Sequence, residues 1–259
     1  MTLPFLSAEH AEAFILVLLR VSAIVVTIPV ISESSIPMRI KAALSILIAL
    51  IIFPLVLPKI PQTAEYPTLI LMYRMAGEVM IGLVIGFAAR LIFAGIRMAG
   101  DLIGFQMGFS IANVIDPTSS EQVSVITELQ YLVAMLVFLS FDAHHVFFKA
   151  IVQSYSILSP LAFHFSGSLM QIILNFSKEM FVIAVKLAAP IMAVMLFTNV
   201  SLGIVARTVP QINIFIVGMP LQIAIGLIFL GITAPMFIKL ASGYFLGFEG
   251  KLATLLRLM

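Results

Sequence analysis

Charged side chains inside apolar stretches are the residues of this chain that could do chemistry. Arg74 and Glu78 lie four residues apart, and Arg97 and Asp101 repeat that spacing. Residues at i and i+4 share one face of a helix, so each pair can neutralise itself. Charges among apolar residues usually face a protein interior or a water-filled path. The spacing therefore predicts either a polar or proton route or internal packing, and we favour packing because self-neutralised pairs carry protons poorly.

Enzyme-type constellations are weak in this sequence. Asp142 and His144 could bind a proton or a metal, but capping a short polar loop is the commoner role for such a pair. His144 and His145 are adjacent, so on a helix we expect their side chains to point in different directions. The sequence contains no HExxH, GxSxG or GxxxxGK[ST] motif. With no cysteine either, it predicts a protein that is not an enzyme and that uses no cofactor and no metal.

A glycine-rich stretch follows the second charge pair. Gly100, Gly104 and Gly108 recur every four residues, which on a helix gives a smooth stripe that lets two backbones approach closely. Each glycine also costs about 1 kcal/mol of helix propensity relative to alanine. The stretch ends at Asp116 and Pro117, a strong turn signal. These features indicate either a re-entrant or pore-lining element or an ordinary tightly packed helix that precedes a loop.

The elements that must position these residues are apolar helices. Hydrophobic residues make up 62% and charged residues 10% of the chain, against about 45–50% and about 25% in soluble domains. The apolar runs are residues 11–31, 42–57, 69–94, 125–141, 146–158, 181–205 and 212–240. They do not alternate as the strands of a membrane barrel do, and a spanning helix needs roughly 20 residues. The predicted fold class is an all-α integral membrane protein with about six bent, interrupted segments, and up to about eight are compatible with the runs. The net charge of +2 is scattered and predicts no nucleic-acid binding.

Four groups of residues match one sequence pattern in the same order along the chain. They are Leu19-Arg20, Pro29 and Pro37-Met38-Arg39-Ile40-Lys41; Gln106-Met107-Gly108 with Asp116-Pro117; Phe141-Asp142-Ala143-His144; and Asn199, Leu202-Gly203, Arg207, Pro210-Gln211, Phe215, Gly218 and Pro220. Together they resemble the FliR family of flagellar export-gate proteins, whose virulence-system counterpart is SctT. Ile31 departs mildly from the pattern, because the family often has phenylalanine there.

The resemblance implies a fold and a function. FliR-like proteins are one subunit of an export gate built with FliP and FliQ, and the implied export-gate fold consists of bent helical hairpins. One membrane-embedded domain is expected, with a FliP-like N-terminal part and a FliQ-like C-terminal part that meet near residue 175. The implied role is a non-enzymatic core subunit that passes unfolded flagellar substrates across the bacterial inner membrane, within the flagellar basal body. The implied partners are FliP and FliQ homologues, together with FlhB and FlhA homologues.

The resemblance also assigns residues. A channel plug is expected at Gly104, Phe105, Gln106, Met107, Gly108, Phe109, Ile111, Asp116 and Pro117. In our hypothesis its bulky apolar side chains seal the closed channel, while Gly104 and Gly108 let the segment move aside for a substrate. Subunit-interface or structural roles are expected for Arg20, Pro37, Arg39, Arg74, Glu78, Arg97, Asp101, Asn199, Arg207, Pro210, Gln211, Phe215 and Pro220. Arg207 and Gln211 are expected to lie one helical turn apart and to contact neighbouring subunits.

Other classes of function stay open from the residues alone. An ion-coupled secondary transporter would also be apolar and glycine-rich, with broken helices in matching positions of its two halves. Pro190 and Pro220 would suit broken helices, but the first half offers no convincing counterpart. An intramembrane protease would have to use Ser110 and His144, whose geometry nothing in the sequence fixes. The equivalent subunit of a virulence secretion system is a further alternative.

Overall fold

A computed structural model describes residues 8–33, 35–60, 68–109, 124–158, 166–209, 211 and 213–259. Within these ranges the protein is helical and contains no strand, which confirms the predicted all-α class. The helices are α1 (Ala8–Thr27), α2 (Pro29–Ser32), α3 (Met38–Val56), α4 (Thr68–Gln106), α5 (Val125–Ser140), α6 (His144–Ile157), α7 (Gly167–Thr208) and α8 (Ile214–Leu258). A short 3₁₀ turn, Leu57–Lys59, follows α3.

Length and composition give five helices that could each cross a membrane within the described part of the chain. Together, α5 and α6 are also long and apolar enough to cross a membrane, and they add a sixth span if the pair is counted as one. The two helices are bent by 61° where they meet, so the pair is a broken span or a re-entrant loop. The prediction of about six segments is therefore confirmed. The polar break that the sequence places between these two runs is the turn that makes the bend.

Three helices are longer than the apolar runs that predicted them. Helix α4 continues past residue 94 to Gln106, α7 begins at Gly167, and α8 continues to Leu258. Pro190, Pro220 and Pro235 lie inside α7 and α8. A proline removes one backbone hydrogen bond and can kink a helix. Here each helix continues past its prolines without a break. The interruptions are thus smaller than the sequence predicts.

The contacts divide the chain into two compact units. The first comprises residues 1–91, 142–176 and 245–259. In it α1 packs against α3, with Phe14 and Phe53 edge to face at 5.5 Å between ring centroids. Phe248 packs against Phe147 and Phe176 with centroids 5.8 and 6.4 Å away. These aromatic contacts build an apolar core from residues far apart in sequence.

The second unit comprises residues 92–141 and 177–244. Its packing between α4 and α5 centres on Phe93, whose ring lies 5.8 Å from that of Tyr131 and 5.5 Å from that of Phe138. A Cβ added at Gly95 would lie 2.7 Å from the carbonyl oxygen of Met180, so α4 and α7 are in backbone contact here. The predicted boundary near residue 175 between FliP-like and FliQ-like parts stays a prediction.

Candidate functional site

A buried ion pair joins three helices in the first unit. Arg20 of α1 and Glu78 of α4 are 0% and 1% exposed. The guanidinium donates through Nη2 to Glu78 Oε1 at 2.9 Å and through Nε to Oε2. A two-pronged contact of this kind fits the planar guanidinium to the carboxylate and holds both groups in one geometry.

Two further hydrogen bonds of Arg20 go to α6 and to the residue that follows it. Nη1 donates to Ser154 Oγ at 2.9 Å, and Nη2 also reaches the Leu158 carbonyl oxygen at 3.5 Å. The guanidinium carbon lies 3.9 Å from the centroid of the Tyr155 ring. The Tyr155 hydroxyl lies 3.5 Å from the carbonyl oxygen of Val17, in α1. One charged side chain therefore fixes α1 against both α4 and α6.

Two glycines let α4 come close enough to α1 for this pairing. A Cβ at Gly82, one turn after Glu78, would lie 2.5 Å from the Ala23 Cβ and 2.9 Å from the Arg20 carbonyl oxygen. At Gly86, another turn on, a Cβ would overlap the side chain of Thr27. Gly82 and Gly86 were not predicted from the sequence as a close-packing face, although their four-residue spacing is the pattern that predicts one.

The predicted Arg74–Glu78 pair leaves out Arg20, which also binds Glu78. Arg74 is buried and its charge acts on Glu78, as the four-residue spacing predicts. Glu78, however, also makes its two-pronged contact with Arg20, 58 residues earlier in the chain. The sequence rule for neighbours on one helix could not find a partner on another helix.

The second predicted pair also reaches across to a neighbouring helix. The Arg97 guanidinium carbon lies 3.8 Å from the centroid of the Tyr131 ring. The Asp101 carboxylate accepts a hydrogen bond from Thr127 Oγ1 at 2.7 Å. Both side chains are exposed on α4. They support the packing interpretation of this pair, since each one ties α4 to α5.

The glycine stripe is a close-packing face. A Cβ at Gly100 would lie 2.5 Å from the Thr127 Cα, and at Gly104 it would overlap the Ser124 side chain. The first turn of α5 therefore rests on the last turns of α4. At these two positions the structure has the tightly packed helix of the second alternative, while the residues that would form the loop lie outside the described part.

Gly108 has a different role, which is to end α4. Its φ is +87°, its N–H donates to the Phe105 carbonyl at 3.1 Å, and the Phe109 N–H donates to the Gly104 carbonyl at 3.0 Å. This pattern is a Schellman motif, in which glycine adopts the left-handed conformation that L side chains avoid. Gly108 is thus a stop signal in the described structure.

The plug residues are only partly described. Phe105 and Gln106 lie in the last turn of α4 rather than in a loop, and Phe105 is 69% exposed. Met107 is fully buried and packs on Gly226 of α8, where a Cβ would lie 2.7 Å from its sulfur. Ile111, Asp116 and Pro117, with Ser110, lie outside the described residues. The plug therefore stays a prediction.

The remaining interface residues lie mainly on the surface of the described structure. Pro37, Arg39, Arg207, Gln211 and Pro220 are exposed. Pro210 and the Phe215 side chain lie outside the described part. Asn199 is exposed and accepts a hydrogen bond from Gln222 Nε2, which links α7 to α8.

The expected one-turn spacing of Arg207 and Gln211 is wrong. Helix α7 ends at Thr208, so Gln211 lies beyond it and does not continue the helical face of Arg207.

The expectation that His144 and His145 point apart is also wrong. Their ring centroids lie 4.3 Å apart at an interplanar angle of 62°. Both residues stand at the start of α6, just after Asp142 with its φ of +51°. Rotation about the side-chain bonds brings adjacent rings together although their Cα–Cβ bonds diverge.

Helices of this length and apolarity, a charge pair buried at a three-helix junction, and glycine-mediated backbone contacts define a polytopic all-α membrane protein. Residues 11–247 match the family described as "Bacterial export proteins, family 1". The chain is 37% identical over 221 residues to the flagellar biosynthetic protein FliR of Bacillus subtilis, covering 84% of each chain. It is 30% identical over 220 residues to FliR of Escherichia coli, covering 85% of this chain and 83% of that one. This protein belongs to that family of bacterial export proteins, the FliR family.

We predict that removing either member of the Arg20–Glu78 pair alone is strongly destabilising. Glu78→Met or Arg20→Met should lower the free energy of unfolding by about 3–5 kcal/mol, because the remaining charge stays buried and loses its two-pronged partner. The double variant should recover part of that loss. Thermal or denaturant unfolding in detergent measures all three variants, and additive losses in the double variant would contradict the coupling.

The exposed pair Lys149–Glu249 supplies the matched control. Its charged atoms lie 3.5 Å apart, and the two side chains are 61% and 47% exposed. Lys149→Met should change the free energy of unfolding by no more than about 1 kcal/mol.

We predict opposite signs for the same glycine-to-alanine change at two helical positions. At Gly203 of α7 a Cβ would meet nothing within 4 Å among the described residues, so Gly203→Ala should stabilise the isolated chain by up to about 1 kcal/mol. Gly100→Ala places the Cβ against the Thr127 backbone and should destabilise it by about 1–3 kcal/mol. Unfolding midpoints of the two variants test this, and equal shifts would refute the close contact at Gly100.

Proposed function

We propose that this chain is a non-enzymatic core subunit of the flagellar type III protein export gate, which passes unfolded flagellar substrates across the bacterial inner membrane. The observation that carries the proposal is the family match over residues 11–247. Two of its relatives are named flagellar biosynthetic proteins, which favours the flagellar system over a virulence system. The proposed partners are FliP and FliQ homologues, with FlhB and FlhA homologues nearby.

The surface of the isolated chain supports a role inside an assembly. In the apolar part of α8 that could cross a membrane, only 6% of the residues are buried within the chain. Side chains such as Ile216 and Ile232 are 71% and 65% exposed. Contiguous apolar surface of this kind is covered by lipid or by protein, and an export gate of several membrane subunits would cover much of it with protein.

The plug belongs to the same proposal. Helix α4 ends in the Schellman motif at Gly108, and the chain leaves it through Phe109 towards the segment 110–123. Buried Met107 fixes the start of that segment against Gly226. We propose that residues 105–116 then form an apolar seal, with the moving part beginning after Met107 rather than at Gly104.

A secondary transporter is the alternative from another class. A cavity of about 100 Å³ lies among α5, α7 and α8, bounded by apolar side chains together with Gln130 and Thr233. Ligand pockets typically measure about 300–1,000 Å³ and present several convergent polar groups. This cavity is small and apolar by comparison. A second cavity in the first unit measures about 320 Å³, but its lining is largely apolar, with Thr27 and Arg90 as its polar residues. Neither cavity presents the several convergent polar groups expected of a transport site.

Native mass spectrometry of the tagged protein, co-expressed with its neighbouring genes, tests the gate assignment. We expect one copy of this chain in a large hetero-oligomer with FliP and FliQ homologues. A stable monomer or homodimer free of those partners would favour the transporter. Loss of motility and of flagellar protein secretion on deletion, restored by the intact gene, tests the flagellar role independently.

Shortening residues 109–120 should make the membrane leak small ions or dyes. The reason is that the closed channel would lose its apolar seal while α4, which ends at Gln106, stays intact. Dye uptake by cells that express the whole gate measures the leak. Removing five residues within 61–67 is the control for removing five residues within 109–120, and unchanged permeability after the 109–120 shortening would contradict the plug.

Arg207→Ala should lower the yield of co-purified gate partners. Arg207 is exposed in the last turn of α7, where a long cationic side chain can reach a neighbouring subunit. Lys186→Ala, which removes another exposed charge of the same helix, is the matched control. Normal recovery of the complex with Arg207→Ala would remove the interface role.

A further inference from the structure

Three potential metal ligands meet at the bend between α5 and α6. Asp142, His144 and His145 each offer one ligand atom, and these atoms lie within 4.8 Å of one another. Ligand atoms around a tetrahedral zinc ion lie about 2.0–2.2 Å from it and hence about 3.4 Å apart. Small side-chain rotations are enough to close the difference, since Asp142 and His145 are exposed.

One ring nitrogen of this cluster, Nδ1 of His144, is buried and has no hydrogen-bond partner among the described residues. A buried imidazole nitrogen normally has a partner, because leaving it unpaired costs free energy. The His144 and His145 rings lean together, with centroids 4.3 Å apart. A shared cation would give both imidazoles a ligand and would explain why adjacent side chains converge.

The surroundings are electrostatically compatible with a cation. Lys149, one turn after His145, lies 3.5 Å from the Glu249 carboxylate, which offsets its charge. The N-terminal end of α6 carries a partial positive charge, and the Asp142 carboxylate beside it is a compensating anion. Asp142 takes a φ of +51°, a conformation that aspartate tolerates better than most residues, and this turn brings its carboxylate to the two imidazoles.

We propose that Asp142, His144 and His145 form a binding site for a transition-metal dication of the zinc class. Two imidazoles and one carboxylate suit Zn²⁺, Ni²⁺ or Cu²⁺ better than Mg²⁺ or Ca²⁺, which prefer oxygen ligands. Three protein ligands leave a fourth position for water or for a further donor. Bound there, the ion ties the turn at Asp142 to the first turn of α6.

Zinc titration of the full-length protein, purified with its partners on a tag that contains no histidine, tests the site. Calorimetry with Zn²⁺ should give one ion per chain, and Mg²⁺ should give no heat of binding. His144→Asn and His145→Asn should each weaken zinc affinity at least tenfold. His10→Asn removes a histidine of α1 that is not one of the three grouped ligands, and it should leave the affinity unchanged.

Thermal unfolding separates the site from a general loss of structure. Zn²⁺ should raise the midpoint of the wild type and of His10→Asn but not of His145→Asn, whose midpoint without metal should match the wild type because that side chain is exposed. If His144→Asn fails to fold, His145→Asn and Asp142→Asn still decide the matter. Absence of stoichiometric zinc binding by the wild type, or equal affinity in all variants, would overturn the proposal.

Discussion

The contact between Arg20 and Glu78 is the constraint on which the first unit depends. Apolar packing is non-directional, so a bundle of oily helices can slide or rotate at little cost. A charge with no exposure to solvent is different, because its counter-ion and hydrogen-bond partners must all be present in one arrangement. Arg20 finds them on α4, on α6 and at Leu158. The relative positions of these helices therefore follow from one guanidinium group.

That contact needs helices closer together than ordinary side chains allow, and glycine provides the space. Gly82 brings α4 onto the backbone of Arg20 itself, and Gly100 does the same for α4 and Thr127. In an apolar environment helices gain little from hydrophobic burial against each other, so close van der Waals contact carries more of the association. The lost helix propensity, about 1 kcal/mol per glycine, is offset where a neighbouring backbone fills the gap.

Patterns between residues close in sequence predicted the helices and one packing face, whereas contacts between distant residues could be seen only in the folded structure. The apolar runs predicted the helices and their number, and the four-residue glycine spacing predicted the face that carries Gly100. The same kind of rule gave Glu78 its neighbour Arg74 but missed Arg20, because that partner is 58 residues away and only the tertiary fold brings it near. The helix ends were misjudged for a related reason. Polar residues and glycines lowered the local apolarity, yet backbone hydrogen bonding carried α4 on to the glycine with positive φ at Gly108.

Several glycines of α8 have no close contact with the described part of this chain. Gly231, Gly243 and Gly247 would each accept a Cβ with no atom within 4 Å among the described residues. Unlike Gly82 or Gly100, they cost helix propensity without any close contact in this chain that offsets the cost. The exposed side chains around them are large and apolar, such as Ile228 and Leu246 at 60% and 58% exposed. Small residues next to large apolar ones form the grooves into which another helix packs. In the proposed gate, the helices of neighbouring subunits would give these glycines the close contacts that this chain does not.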